Sequence, residues 1–332
     1  MRVTRDLLIK LAREQADKLA AKDHSLKCIY LVGSLLHDMP FLGGVTDIDL
    51  VCVHDRPVAA SREIVRLNAE VHLDLAHLSE EVYAQPRHLR TDAWIGGALA
   101  EGPLVLYDHF HWFDFIRASA SSQFWQTELV VSRARGFVVS ARQAWQMLTD
   151  ESPQGLKRVQ TYRQALEDTA NALAVLTGAP LPTRRFMLDL PERIAKIDLP
   201  EFTGAFVSQF GNESVDAEHL EKWQAQWLAA FDFIKGLKGI PVQYVPTRRH
   251  YYDKAITALI PDHPAAALWI LLTEWTEIAA LLPKSESLYK EWQNFARALD
   301  MDSKGIPGRL ETLDVLLDSV ENTLDRWQEE NA

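Results

Sequence analysis

The sequence predicts an α+β protein in two parts: strands with helices packed on them over residues 1–115, then an all-helical region over residues 116–332. Three observations carry this. Short apolar runs of β type recur in the first part, near 27–33, 48–54, 70–78 and 104–108. Beyond about residue 115 long amphipathic stretches take over, at 124–148, 156–176, 217–237, 265–282 and 310–327. Turn signals such as Gly178-Ala179-Pro180 and Gly305-Ile306-Pro307-Gly308 punctuate them.

Taken in order, residues 4–22 have helical periodicity (Leu7, Leu8, Leu11, Ala12, Ala16, Leu19) and lead into the first strand. After the second strand, 59–68 reads as a crossover helix, and 70–78 alternates polar and apolar as a half-buried strand. Helices are expected near 79–85 and 91–100. Gly102-Pro103 then punctuates before the apolar run 104–108. Seven of the ten tryptophans lie after residue 140, at positions 145, 223, 227, 269, 275, 292 and 327, and are expected to pack between helices. Cys28 and Cys52 both fall in apolar strands and read as small core residues, not as a disulfide or a metal pair.

Acid exceeds base, 46 Asp plus Glu against 35 Lys plus Arg, for a net charge of -11. That balance argues against a nonspecific nucleic-acid binder, which needs a basic face, so no DNA partner is expected. No stretch approaches a membrane span, and the opening Met-Arg-Val-Thr-Arg-Asp leads into an amphipathic helix and not an apolar signal segment. The cytoplasm is the expected location.

The chemistry concentrates in one stretch. Cys28-Ile29-Tyr30-Leu31-Val32 ends in Gly33-Ser34; twelve residues later comes Asp47-Ile48-Asp49-Leu50-Val51. Side chains alternate along a strand, so Asp47 and Asp49 share a face while Ile48 turns to the core. Two carboxylates so placed can share a divalent cation, and a glycine followed by a small hydroxyl leaves backbone N–H groups for a phosphate. Asp74, in the 70–78 strand, reaches the same face if its strand lies beside the Asp47/Asp49 strand. Like charges so close repel unless something positive is bound. A phosphate-binding Gly-x-x-x-x-Gly-Lys loop, a Cys-x-x-Cys pair and a Gly-x-Ser-x-Gly elbow are all absent from the sequence.

Gly-Ser, a spacer of this length, Asp-Ile-Asp and a later strand acid together resemble the DNA polymerase β-like nucleotidyltransferase superfamily. The helical region behind a small catalytic domain is similar in architecture to the aminoglycoside (antibiotic) nucleotidyltransferase branch. The motif covers about the first 110 residues. It implies a small mixed sheet with helices as the catalytic domain (1–115), and an α-helical domain (116–332) closing a cleft for nucleotide and acceptor. It further implies that Gly33 and Ser34 hold the nucleotide's phosphates and that Asp47 and Asp49 bind Mg²⁺. Asp74 would bind a second Mg²⁺ or serve as base for the acceptor hydroxyl. The spacer His37-Asp38-Met39-Pro40-Phe41-Leu42 departs from the small polar residues usual there, and Gly43-Gly44 partly restores flexibility.

The implied reaction moves an NMP from an NTP, with ATP the expected donor, to a hydroxyl of a small, polyhydroxylated acceptor, releasing pyrophosphate. Basic residues must neutralise the triphosphate. Arg184 and Arg185, with Arg158 and Arg163, are the candidates, because the stretch after Gly178 resembles the loop that returns to the cleft in such enzymes. His72 is expected to be a hydrogen-bonded, half-buried histidine on the Asp74 face. His109 and His111 have metal-like spacing but no third partner nearby in sequence. Arg248-Arg249-His250 is a basic cluster to which no mechanism attaches. Two other functions compete: a nucleotidyltransferase of the antitoxin type acting on a protein or tRNA, and a nucleotide-binding regulatory protein without turnover.

Overall fold

Thr4 opens the first helix, α1 (Arg5–Lys22), its hydroxyl accepting the Leu7 N–H. The sheet follows: β1 (Leu26–Val32), β2 (Ile48–His54), β3 (Arg62–Arg66), β4 (His72–Ser79) and, after a short helix α2 (Ile95–Ala100), β5 (Leu104–Asp108). The next helix is α3 (Trp112–Ser121). These elements come from a computed structural model that describes residues 3–37, 39–68, 71–211 and 214–332. The spacer residue Asp38 and the predicted strand start at Glu70 lie outside the described residues.

Among those residues the chain up to Phe124 forms one unit with Pro241–Lys254, and Trp125–Ile240 forms a second with Ala255–Ala332. The class is α+β.

The first unit is built on a mixed sheet of order β3-β4-β2-β1-β5. β2 and β4 run parallel, and the other neighbours are antiparallel. Alternation divides the strands between two apolar layers. Ile29, Leu31, Ile48, Leu50, Cys52, Leu73 and Leu75 pack under Leu8, Ala12 and Ala16 of α1. Cys28, Tyr30 and Val53 face the other way, against Leu99, Phe113 and Ile116 of α2 and α3. The two cysteines therefore belong to opposite faces of the sheet and remain free. Burial pushes the Cys52 thiol up to about 12 and raises that of Cys28 as well, so both are inert core groups.

The segment 59–68 is not the crossover helix that its sequence predicts. It carries β3, an edge strand paired antiparallel to β4 with Arg62 opposite Ala76 and Val65 opposite Leu73. The β-branched pair Ile64-Val65 between charged neighbours suits a half-covered edge strand. Its return to β4 is tightened by Asn68, whose side-chain oxygen accepts the Val71 N–H. The helix expected at 79–85 shrinks to a 3-10 turn, Glu80–Tyr83, and that at 91–100 shortens to α2, whose first N–H, on Ile95, donates to Asp92 Oδ1.

The second unit is helical: α4 (Thr127–Asp150), α5 (Gly155–Ala174), α6 (Phe186–Ala195), α7 (Glu201–Ser208), α8 (Ala217–Ile234), α10 (Pro264–Ala279), α11 (Ser287–Ala298) and α12 (Ile306–Asn331). Trp227, Trp269, Trp275 and Trp292 are fully buried there, Trp269 stacked on Phe186 and Trp275 on Phe295. Helix α9 (Pro246–Leu259) begins in the first unit with proline as its first residue. No helix among the described residues is long and apolar enough to cross a membrane.

At the far end of β2 from the aspartates, a polar chain ties three segments of the first unit together. Asp23 accepts from Ser25 Oγ (2.7 Å), Ser25 Oγ meets His54 Nδ1 (3.0 Å), and His54 Nε2 meets His77 Nδ1 (2.9 Å). Burial, and then the facing His77, hold the His54 pKa below its usual value. A histidine whose pKa is lower folded than unfolded is protonated preferentially in the unfolded chain. Stability is therefore lost as pH falls through the unfolded value of about 6.5 toward the folded one. Urea unfolding at pH 7 and pH 5 checks this: His54→Gln should narrow the stability difference between the two pH values. An unchanged difference would locate the pH dependence elsewhere.

Candidate functional site

The ends of β1 and β2 meet where the sequence places its polar groups. Val32 pairs with Asp49, so Gly33 and Ser34 leave β1 directly beside the start of β2. β4 lies on the other side of β2 in parallel register, with Asp49 opposite Asp74. In-register parallel neighbours point to the same face, and here it is the face away from α1. Asp47, just ahead of β2, completes the set: one oxygen from each of Asp47, Asp49 and Asp74 lies within 4.8 Å of the others. Asp47 and Asp74 are buried, whereas Asp49 keeps partial access to solvent.

Gly33 has φ 78° and ψ -160°, a region of backbone conformation open in practice only to glycine. A Cβ built there would lie 2.2 Å from Asp49 Oδ2. The glycine is thus required both by backbone geometry and by the close approach of the carboxylate. Ser34 starts a 3-10 turn, and its hydroxyl hydrogen-bonds that of the buried Thr46 at 2.8 Å, tying the two ends of the spacer together. In the spacer, Phe41 packs on the α1 layer, and Gly43 and Gly44 both take positive φ in the turn that brings Leu42 and Val45 into a bridge.

Two arginines supply the positive charge. Arg62, on β3, grips Asp74 with both ends of its fork: Nε to Oδ1 at 2.7 Å, and Nη2 to Oδ2. Arg248, in the first turn of α9, donates Nη1 to Asp47 Oδ2 (3.0 Å) and Asp74 Oδ2 (2.8 Å). Its Nη2 donates to Tyr252 Oη (3.1 Å), and its guanidinium lies over the Tyr251 and Tyr252 rings at 4.8 and 5.4 Å. Burial opposes the Arg248 charge, but the two tyrosines with Asp47 and Asp74 hold its pKa well above normal. The hydrogen bond to Asp74 raises that of Arg62. His72 is buried, with Nε2 3.8 Å from Asp47 Oδ2 and its ring edge-on to Tyr251.

Among the described residues none donates a hydrogen bond to the Asp49 carboxylate. Burial first, and then the Asp47 and Asp74 charges, push its pKa well above the usual carboxylate range, with Arg248 and Arg62 pulling the other way. The cluster therefore carries one more carboxylate than it has arginines. An all-carboxylate oxygen set of this spacing can hold a hard divalent ion such as Mg²⁺ or Mn²⁺.

The sequence thus foresees the grouping of Gly33, Ser34, Asp47, Asp49 and Asp74, but not the arginines. Arg184 and Arg185 belong to the second unit, where Arg185 pairs with Asp189 one turn on. Arg158 there donates to Pro153 O and Gln154, and Arg163 pairs with Glu167. Arg248 reaches Asp47 and Asp74 across 201 and 174 residues, a separation that no local pattern encodes. The one clue is the pair of tyrosines three and four residues on, at helical spacing. His109 and His111 do not act together: His111 gathers with Asp108 and Asp114 in an exposed cluster that offers a cation little desolvation.

Two outcomes follow. Asp49→Asn should stabilise the cation-free protein at pH 7.5 by about 1 kcal/mol, a few degrees in Tm. A carboxylate with a raised folded pKa costs stability as pH rises through its unfolded value of about 3.9, so the gain should shrink toward pH 4. Thermal melts across pH check it, and a destabilised variant at pH 7.5 would contradict the reading of an uncompensated charge. Gly33→Ala should instead lower stability by about 1–3 kcal/mol from backbone strain alone, read by urea unfolding.

No protein-family model matches the chain, and no curated protein sequence matches it. Among solved structures, it is similar to a nucleotidyltransferase-like protein from Exiguobacterium sibiricum 255-15, over 96% of this chain and 91% of that one. The identity is 15% and the TM-score 0.29, a superposition too loose to bear on the site.

Proposed function

We propose that this chain is a metal-dependent nucleotidyltransferase, moving an NMP from an NTP to the hydroxyl of a small acceptor. One observation carries the reading. Asp47, Asp49 and Asp74 converge from two parallel strands beside a glycine that only glycine geometry permits. Three carboxylates so close repel one another, and a protein that needs only stability has no use for them. A triphosphate chelated to a divalent ion suits such a cluster, and Mg²⁺ with ATP is the pairing we favour.

In this reading Asp47 and Asp49 hold the cation, which neutralises charge on the phosphates. Gly33 and Ser34 present backbone N–H groups and a hydroxyl to the leaving phosphates. The acceptor oxygen attacks the α-phosphorus in line, the bond from that phosphorus to the β-bridging oxygen breaks, and pyrophosphate departs with the electron pair. Asp74 takes the acceptor's proton or holds a second cation. Both its oxygens are engaged by arginine, so either role begins with exchange of an arginine. Most of the acceleration comes from positioning and charge neutralisation. Arg184 and Arg185 remain candidates for triphosphate contacts, and the 1–115 and 116–332 division remains a proposal for the catalytic and acceptor-closing domains. The polyhydroxylated acceptor of the antibiotic-modifying branch is the first class to test.

A second reading, a nucleotide-binding regulatory protein, draws support from the same arginines, because a cluster largely compensated by Arg62 and Arg248 can persist without turnover. Thermal shift with ATP, GTP, CTP and UTP, with and without Mg²⁺, tests both. A Mg²⁺-dependent rise in Tm with one NTP, abolished in Asp47→Asn/Asp49→Asn, is expected. Pyrophosphate release that requires an acceptor, and falls on the order of 100-fold or more in Asp47→Asn, identifies the transferase. Binding without release under any acceptor identifies the regulator, and no shift with any nucleotide removes both.

A further inference from the structure

We propose that Arg248 is a built-in competitor for the divalent cation, so that the carboxylates load cation and polyphosphate together and take up a cation alone only weakly. The inference rests on the reading of Asp47, Asp49 and Asp74 as a cation site.

The competition is geometric. Arg248 Nη1 is 3.0 Å from Asp47 Oδ2 and 2.8 Å from Asp74 Oδ2. A Mg²⁺ or Mn²⁺ ion needs carboxylate oxygens at about 2.0–2.2 Å. An ion that Asp47 shares with Asp49 through Oδ2, or a second one on Asp74 Oδ2, would touch the guanidinium and carry the same sign of charge. One must leave for the other to bind.

Leaving is not free. Arg248 is buried, and its charge is held by Asp47, Asp74 and the two tyrosine rings. If a bare cation takes the carboxylates, the guanidinium loses both anionic partners, which is costly for a buried charge. A polyphosphate arriving with the cation replaces them, because guanidinium forks match phosphate oxygens. The two arginines differ in a way that fits. Arg62 is 45% exposed and holds Asp74 through both fork nitrogens, whereas the Arg248 side chain is 6% exposed and keeps a buried Nε–H with no hydrogen-bond partner. A phosphate oxygen beside Arg248 could accept from that Nε–H as well as from the fork.

The test uses Mn²⁺ alone and Mn²⁺ with tripolyphosphate, with protein-bound Mn²⁺ read by water-proton relaxation enhancement. In the wild type, tripolyphosphate should tighten Mn²⁺ binding at least tenfold. Arg248→Gln should bind Mn²⁺ alone at least tenfold more tightly than the wild type and lose most of the gain from tripolyphosphate. Its Tm, lowered without cation because Asp47 and Asp74 are left uncompensated, should be restored by Mn²⁺ further than the wild type's is raised. Equal Mn²⁺ affinity in the wild type and Arg248→Gln overturns the proposal. Should Arg248→Gln not fold, the wild type alone decides: equal Mn²⁺ affinity with and without tripolyphosphate overturns it. Mn²⁺ binding absent from both proteins, or unaffected by Asp49→Asn, would remove the cation site itself and the proposal with it.

Discussion

Charge compensation at the mouth of two parallel strands is the constraint on which the first unit turns. The in-register pairing of β2 with β4 places Asp49 and Asp74 side by side, and Asp47 adds a third carboxylate one strand repeat earlier. Without positive charge this arrangement would favour protonation or unfolding. Two otherwise unremarked segments supply that charge. The edge strand β3 brings Arg62 against Asp74, and the excursion Pro241–Lys254 brings Arg248 between Asp74 and Asp47. The inclusion of that excursion in a unit otherwise made of the first 124 residues is thereby explained by electrostatics as well as by packing.

The strands were legible because they are short, apolar and bounded by turn residues, and because alternation assigns each side chain a face. The same alternation made the aspartate grouping foreseeable once β4 was taken to lie beside β2. The segment 59–68 is ambiguous in sequence because Ile64, Val65 and Leu67 satisfy a helical pattern as readily as a strand; β-branching and an edge position favour the strand. The long helices of the second unit announced themselves by period. The shorter α6, α7 and α11 did not, since 8 to 12 residues between turn signals give too few repeats to mark a face. Arg248 was beyond reach for a different reason: its partners are set by tertiary contact, and a basic tripeptide has the same local signature whether it faces water or a carboxylate.

Gly33 shows how tightly the two halves of the motif are bound. Its backbone occupies a region closed to other residues, and the space a side chain would need is filled by the Asp49 carboxylate. The Gly33-Ser34 turn and the Asp49 carboxylate are thus not separable modules. A change at Gly33 moves Asp49, and any ion that draws Asp49 inward acts on the turn. This coupling places the Gly33-Ser34 turn next to the acidic cluster, an arrangement suited to the proposed anion that arrives with its own cation.

The imbalance within the cluster also explains how it can be stable and still poised. Three carboxylates against two guanidiniums leave a deficit of one positive charge, concentrated on Asp49, which no arginine contacts. Had the arginines matched the acids fully, a divalent ion would gain little by entering. Had they been absent, the empty cluster would strain the fold. Arg62 holds a single acid, Asp74, from an exposed position, whereas the buried Arg248 bridges Asp47 and Asp74 and meets Arg62 on Asp74 Oδ2. If Arg248 yields to a cation as proposed, the division between a counter-ion that stays and one that exchanges follows from Arg248 alone bridging two acids, and that bridge, more than the number of acids, would let the site respond to a ligand.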